Sequence, residues 1–135
     1  MSNPTLMVLD GSYAIHRFAP RAPIPEATFS SPFYNITTTD EELSVVALEG
    51  FLIMSEETDG GWSVIKVNGP LKLTLTGVMA GLSATLAEAG VSLFAISTYD
   101  TDYLLIKTIA LEKARQAFQA RGYEFREPHK RTEEK

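Results

Sequence analysis

Two aspartates lie close together in the run Thr98-Tyr99-Asp100-Thr101-Asp102, interleaved with two threonines and a tyrosine. Such carboxylates can accept charge-assisted hydrogen bonds from an ammonium, which are shorter and stronger than neutral ones. The Thr98 and Thr101 hydroxyls add donors and acceptors, and the Tyr99 ring can cover an apolar group. Upstream, Thr76-Gly77-Val78 open a segment of helical periodicity. The first N–H groups of a helix lack intrahelical partners and carry partial positive charge, so they suit an anion. Gly77 has no side chain to keep a ligand off that backbone. Each residue also has a purely structural reading. Asp forms turns through local hydrogen bonds, and the residues alone favour that reading for Asp100 and Asp102. Thr76 is a cap first, Gly77 equally suits a tight strand-to-helix corner, and Tyr99 suits a plain surface ring.

Other chemistry is thinly represented. The chain has no cysteine, which excludes disulfides, thiolate catalysis and Cys-ligated zinc. His16 has no second His or carboxylate at metal-ligand spacing, so it reads as a structural histidine, and neither a metal nor a cofactor is expected. Trp62 reads as opening a strand and packing in a core or at an oligomer interface. Asp40-Glu41-Glu42 reads as a solvated turn, with Asp40 as a cap, or as part of a second, worn pocket. Gly60-Gly61 is too short for a phosphate loop. No nucleophile–base pair stands out, and no catalytic residue is assigned.

These residues need a frame. The 135 residues are 44% hydrophobic and 21% charged, which suits a compact globular chain. The net charge of −5 and the scattered Lys and Arg argue against nucleic-acid binding. The cluster His129-Lys130-Arg131 belongs to a polar tail. Met1-Ser2-Asn3-Pro4 lacks a basic region followed by an apolar run, so no signal peptide is expected. No apolar stretch is long enough to span a bilayer, and the cytoplasm is the expected compartment.

The second half gives the clearer pattern. Ser63–Asn68 alternates as a strand, with Leu71, Leu73 and Leu75 continuing the period of two. Val78, Met79, Leu82 and Leu86 then share a helical face, with Thr76 as N-cap and Gly90 past the end. Val91–Thr98 and Tyr103–Lys107 read as strands joined by a tight turn. Leu111, Ala114 and Phe118 mark a second helix ended by Gly122, and Tyr123 and Phe125 a last strand. The order strand, helix, strand, strand, helix, strand is the ferredoxin-like split βαβ plan, an antiparallel sheet with both helices on one face.

The first half reads as a worn copy. Leu6–Asp10, Tyr13–Phe18, Tyr34–Thr38 and Leu43–Leu48 suit strands, while Pro20, Pro23 and Pro25 forbid a long first helix. Ile36-Thr37-Thr38-Thr39-Asp40 aligns without a gap on Ile96-Ser97-Thr98-Tyr99-Asp100, which suggests duplication. Glu56–Gly61 reads as the connection between halves.

The segments LTGVMAGLSATLAEAG and SLFAISTYDTDYLLIK, with FYNITTTDEELSVVALEG upstream, make the chain resemble tandem ACT-domain proteins of the CASTOR type. These include cytosolic arginine sensors of the TOR pathway and small bacterial ACT-domain proteins. The resemblance runs from about Leu6 to Phe125. It implies an α+β fold of two tandem ACT modules of the ferredoxin-like βαββαβ plan, a degenerate one at 1–58 and a full one at 62–127, with a polar tail at 128–135.

The resemblance also implies a regulatory protein that senses a free amino acid at an ACT module interface. Ligand-binding residues would be Thr76, Gly77 and Val78 with Thr98, Tyr99, Asp100, Thr101 and Asp102. Where arginine-sensing relatives carry an acidic residue soon after the helix-start glycine, this chain has Val78, Met79 and Ala80, which speaks against arginine as the ligand. A homodimer, through sheet edges or Val91–Ile96, and a regulated protein partner are expected. The alternatives are a small enzyme on the same fold and a ligand-free interaction subunit.

Overall fold

The computed structural model describes residues 3–50, 53–68 and 77–128. Its strands are β1 (Thr5–Val8), β2 (Tyr13–Phe18), β3 (Asn35–Thr38), β4 (Leu43–Leu48), β5 (Glu57–Asn68), β6 (Phe94–Ser97), β7 (Asp102–Lys107) and β8 (Glu124–Arg126). Its helices are α1 (Val78–Glu88) and α2 (Leu111–Ala120), with short 3-10 turns at Glu26–Ser30 and Thr108–Ala110. The described residues up to Asp10 and those from Ser63 onward form one compact unit, and Gly11–Trp62 form the other. The halves of β5 on either side of that boundary belong to different units.

The unit containing the C-terminal half is α+β, in the order β8-β1-β5-β7-β6. Strands β5, β6, β7 and β8 with α1 and α2 follow the βαββαβ plan, and β1 is intercalated between its first and last strands. β1 runs antiparallel to β5, from Thr5 opposite Asn68 to Val8 opposite Ile65, and parallel to β8, with Leu6 opposite Phe125. The sequence places Leu6–Asp10 with the first half; the ladder places β1 here. The physical reason is burial. Leu6 and Val8 join Ile65, Val67, Leu104, Ile106 and Phe125 from the strands and Leu82, Leu86, Ala114 and Phe118 from the helices in one core. Alternate residues of β5 and β7 thus face both helices. The register explains why β5 and β7 read as apolar runs: Val64 and Leu105, on the opposite face, are also fully buried.

Both helices end in the same way. The Gly90 N–H donates to the Ala87 carbonyl at 3.0 Å and the Val91 N–H to the Leu86 carbonyl at 2.9 Å. In α2 the Gly122 N–H donates to Gln119 and the Tyr123 N–H to Phe118, each at 3.0 Å. These are paired Schellman closures, and they require a left-handed residue at the first position past the cap. Gly90 (φ 74°) and Gly122 (φ 88°) supply it. The apolar contact that accompanies such closures is present as the Phe118–Tyr123 edge-on ring pair, with centroids 5.3 Å apart.

The other unit is an antiparallel sheet in the order β3-β4-β2-β5. That is the ferredoxin-like strand order without α-helices among the described residues. Where the first helix would lie, the prolines leave only the turn at Glu26–Ser30. Phe18, Leu43, Val45 and Ala47 form its core, with Ala22, Ile36 and Ile53 packed against it.

The segment read as a connection, Glu56–Gly61, is from Glu57 on the first half of β5. β2 supplies the ladder that its own residues would not seek: Arg17 lies opposite Glu57 and His16 opposite Thr58. The register shifts between Tyr13 and Ile15, and the extra residue is absorbed at Gly60-Gly61. Gly61 has a positive φ of 76°, and its N–H donates to Glu49 Oε2 at 2.9 Å. The glycine pair therefore makes a β-bulge. Trp62 lies within β5 rather than at its start, and it is buried.

The two hairpins correspond, but not in the register of the sequence repeat. Thr38 pairs with Leu43 in one and Ser97 with Asp102 in the other. Thr38 is therefore the counterpart of Ser97, where the ungapped alignment matches it to Thr98. A shift of one residue exchanges the two faces of a strand, so the matched letters are not equivalent positions.

Candidate functional site

The β6–β7 hairpin carries five of the eight expected ligand residues. Its last pair, Ser97 opposite Asp102, leaves Thr98–Thr101 as the turn. The Thr98 N–H donates to the Thr101 carbonyl at 2.8 Å, and the Thr98 hydroxyl donates to the same carbonyl at 3.1 Å. The Thr101 N–H donates to Thr98 Oγ1 at 3.2 Å. The Thr101 hydroxyl donates to the Val67 carbonyl near the end of β5 at 2.5 Å. The Ser97 hydroxyl donates to Asp102 Oδ1 at 2.6 Å. Thr98, Thr101 and Asp102 therefore hold the hairpin in shape. Tyr99, 83% exposed, and Asp100 stand out into solvent at its tip.

At α1 the N-cap is Gly77 itself, at φ 92° and ψ −7°, with no side-chain cap. Thr76, expected to be the cap, lies outside the described residues, as do Leu71, Leu73, Leu75 and the cluster at 129–131. A side chain at Gly77 would meet open space. The glycine answers to its backbone angle, since this φ is one that L side chains rarely adopt. Val78 is half-buried and packs on the core. No acidic residue stands in the first turn of α1. Thr101 fastens the hairpin to the end of β5, the strand that precedes α1 in the chain. No hydrogen bond joins the hairpin to Gly77 or Val78 among the described residues.

Sequence reasoning missed Ser97 and Val67. Ser97 was legible in principle: once a four-residue turn is assumed, pairing across the hairpin puts it opposite Asp102. The Val67 contact is a main-chain carbonyl and leaves no mark in the letters. The other hairpin repeats the turn chemistry. The Thr39 N–H donates to the Glu42 carbonyl at 2.9 Å, and Thr39 Oγ1 accepts from the Glu41 and Glu42 N–H groups at 3.1 and 3.2 Å. The capping role expected of Asp40 belongs to Thr39.

Elsewhere, among the described residues, two cavities stand out. One, of about 200 Å³, lies over Ile15, His16, Arg17, Glu42, Ser44, Glu57, Thr58 and Asp59 on the N-terminal sheet. The other, of about 220 Å³, lies between α1 and α2 over Thr85, Ala89, Ala117 and Arg121. Neither is lined by an expected ligand residue. No group of three His, Asp or Glu able to hold a metal occurs among the described residues.

Residues 57–120 match the ACT domain, and residues 11–52 match a separate family described as an N-terminal domain. A solved structure of an Agobacterium tumefaciens protein is 31% identical, covers 99% of this chain and 100% of its own, and superposes with a TM-score of 0.89. The chain belongs to that protein's family, and its residues 57–120 are an ACT domain. Aspartate kinases share the fold. The Clostridium acetobutylicum enzyme matches at 11% identity over 81% of this chain and 32% of its own, with a TM-score of 0.62. An aspartokinase of alpha and beta subunits matches at 14% identity over 88% and 97%, with a TM-score of 0.61. No curated protein matches the sequence. No helix among the described residues is long and apolar enough to cross a membrane.

Proposed function

We propose that the chain is a regulatory protein of the CASTOR type, without catalytic activity, that binds a free amino acid at its ACT domain. The reading rests on one observation above others: the ACT domain at 57–120 carries a hairpin whose side chains are spent on shaping it, while Tyr99 and Asp100 remain exposed at its tip. A rigid loop bearing an exposed carboxylate suits an ammonium group. The start of α1 offers N–H groups to a carboxylate. The Clostridium aspartate kinase that shares this fold is described as an allosteric enzyme.

The absence of an acidic residue from the first turn of α1 favours a ligand with an uncharged side chain. The protein acts as a cytoplasmic homodimer that passes the bound state to a protein partner. A ligand of this kind shifts an equilibrium through its differential affinity for two states.

A thermal-shift screen of the purified chain against the proteinogenic amino acids, followed by isothermal titration, tests this. The expected result is saturable stabilisation by one of them, weakened in Asp100→Ala. If none shifts the melt at millimolar concentration, the reading fails.

A further inference from the structure

Strand β3 closes the order β3-β4-β2-β5 and pairs only with β4 among the described residues. One bond sets which of its main-chain groups are left over. The Thr39 N–H donates to the Glu42 carbonyl at 2.9 Å, so Thr39 and Glu42 are a bonded pair. Bonded and non-bonded pairs alternate along an antiparallel ladder. Thr37 opposite Ser44 and Asn35 opposite Val46 continue the bonded series, and Thr38 opposite Leu43 and Ile36 opposite Val45 fall between. The N–H and C=O groups of Ile36 and Thr38 therefore point away from β4. Nothing in Asn35–Thr38 blunts this edge, which has no charge, no proline and no bulge.

The two ends of the edge differ. Tyr34, next to β3, is 41% exposed and meets Phe29, 53% exposed, edge-on with ring centroids 5.5 Å apart. Asp40 and Glu41 stand exposed in the turn at the other end. Thr39 and Arg17 hold the main chain of Glu41 and leave its carboxylate at the surface. Gly11–Trp62 carry eight acidic side chains against two arginines, a net charge of −6. The unit thus attracts positive charge.

We propose that the outer edge of β3 is a docking site for an extended, basic segment of another protein, which adds to the sheet antiparallel to β3. Main-chain bonds to Ile36 and Thr38 anchor it. Its N-terminal end carries Lys or Arg opposite Asp40 and Glu41. About six residues further on, some 20 Å of extended chain, an aromatic or aliphatic side chain covers Tyr34 and Phe29. Tyr34, Ile36 and Thr38 alternate to one face, and Ile36 packs on the core there, so the segment is apolar on that face. A second copy fits poorly. It brings a charge of the same sign, and antiparallel pairing sets each acidic turn against the other's aromatic pair. The site lies within Gly11–Trp62 and does not depend on amino-acid binding at the ACT domain.

The test is a titration of the ¹⁵N-labelled full chain with the acetylated, amidated peptide KKVTVTF at low salt, with no amino acid added, followed by amide shifts and hydrogen exchange. The expected result is saturable shifts centred on residues 35–39, slowed exchange at the Ile36 and Thr38 amides, and affinity that falls as salt is raised. Thr38→Pro removes an edge donor that β4 does not use and is expected to weaken binding about tenfold. Asp40→Asn combined with Glu41→Gln is expected to weaken it by a similar factor and to leave the melting temperature unchanged. The peptide EEVTVTF is expected not to bind. No shift at millimolar peptide, shifts centred on β6 or β8, equal binding of EEVTVTF, or full affinity in Thr38→Pro would overturn the proposal. So would protection of Ile36 and Thr38 that rises with protein concentration alone, since that gives the edge to a second copy. The acidic-turn variant decides the matter if Thr38→Pro does not fold.

Discussion

The Thr101 hydroxyl donates to the Val67 main-chain carbonyl at 2.5 Å, so a side chain in the turn of one hairpin fixes that turn to a strand far away in sequence. The same residue also gives its N–H to Thr98 and its own carbonyl to Thr98. Thr101 is thus the joint between β5 and the hairpin, and its one hydroxyl donor is committed there, which leaves the oxygen to act only as an acceptor.

Thr101→Val keeps the shape and deletes the hydroxyl. The Val67 carbonyl then loses a partner, which costs about 1 kcal/mol. Urea unfolding is expected to show a lower midpoint with an unchanged slope. Any amino-acid affinity should fall as well, because the hairpin tip loses its fixed position.

Asp100 and Asp102 separate stability from binding. Asp102 takes the Ser97 hydroxyl at 2.6 Å, so Asp102→Ala is expected to lower stability by about 0.5–1.5 kcal/mol. Asp100 is exposed, so Asp100→Ala is expected to leave stability within about 0.5 kcal/mol and to weaken only ligand binding. Melting curves and titration calorimetry on the two variants check both statements.

Gly90 and Gly122 sit at φ 74° and 88° beyond the two helices. Alanine at either position carries a left-handed backbone penalty of about 1–2 kcal/mol. Space is not the obstacle, since the nearest atoms to an added Cβ are Lys113 Nζ at 4.0 Å and Asn3 Nδ2 at 3.6 Å. Thermal unfolding followed by circular dichroism should show a lower midpoint for each variant.

Among the described residues, His16 and Glu112 give stability a pH dependence in separate windows. The folded-state pKa of His16 is lowered from 6.5 by burial, so the unfolded chain binds the proton more readily. Its contribution is complete above 6.5 and is lost as pH falls below that value. Glu112 is lowered from 4.5, chiefly by the side-chain hydrogen bond from Arg115. Its contribution is present above 4.5 and is lost as pH falls further. Denaturant midpoints from pH 8 to 3 should decline in these two stages, and His16→Gln should remove the first.

The C-terminal elements were legible because several signals agree there. The 3.6-residue spacing of Leu82 and Leu86, the glycines past each helix and the β-branched strands point to one answer. Glu57–Gly61 was not legible as strand because Glu, Asp and Gly are depleted in strands; pairing with β2 overrides that preference. The position of β1 was hidden because its partners are chosen by burial of Leu6 and Val8, not by neighbours in sequence. The hairpin repeat misled by one residue because runs of hydroxyl residues, Thr37-Thr38-Thr39 in one hairpin and Ser97-Thr98 in the other, match in either register. Of the candidate site, the turn was legible, but its division into shaping and exposed residues required the hydrogen bonds.

Strand β1 has a consequence for how the protein is made. Its two neighbours, β5 and β8, both follow it in the chain and leave the ribosome well after it. Leu6 and Val8 therefore wait as an unmatched apolar stretch until β5 emerges, and one edge of β1 stays unpaired until β8 does. The ACT unit closes only once β8 has been made, and a chain that stops before β8 leaves β1 as a bare apolar edge, a ready site for aggregation or for chaperone capture.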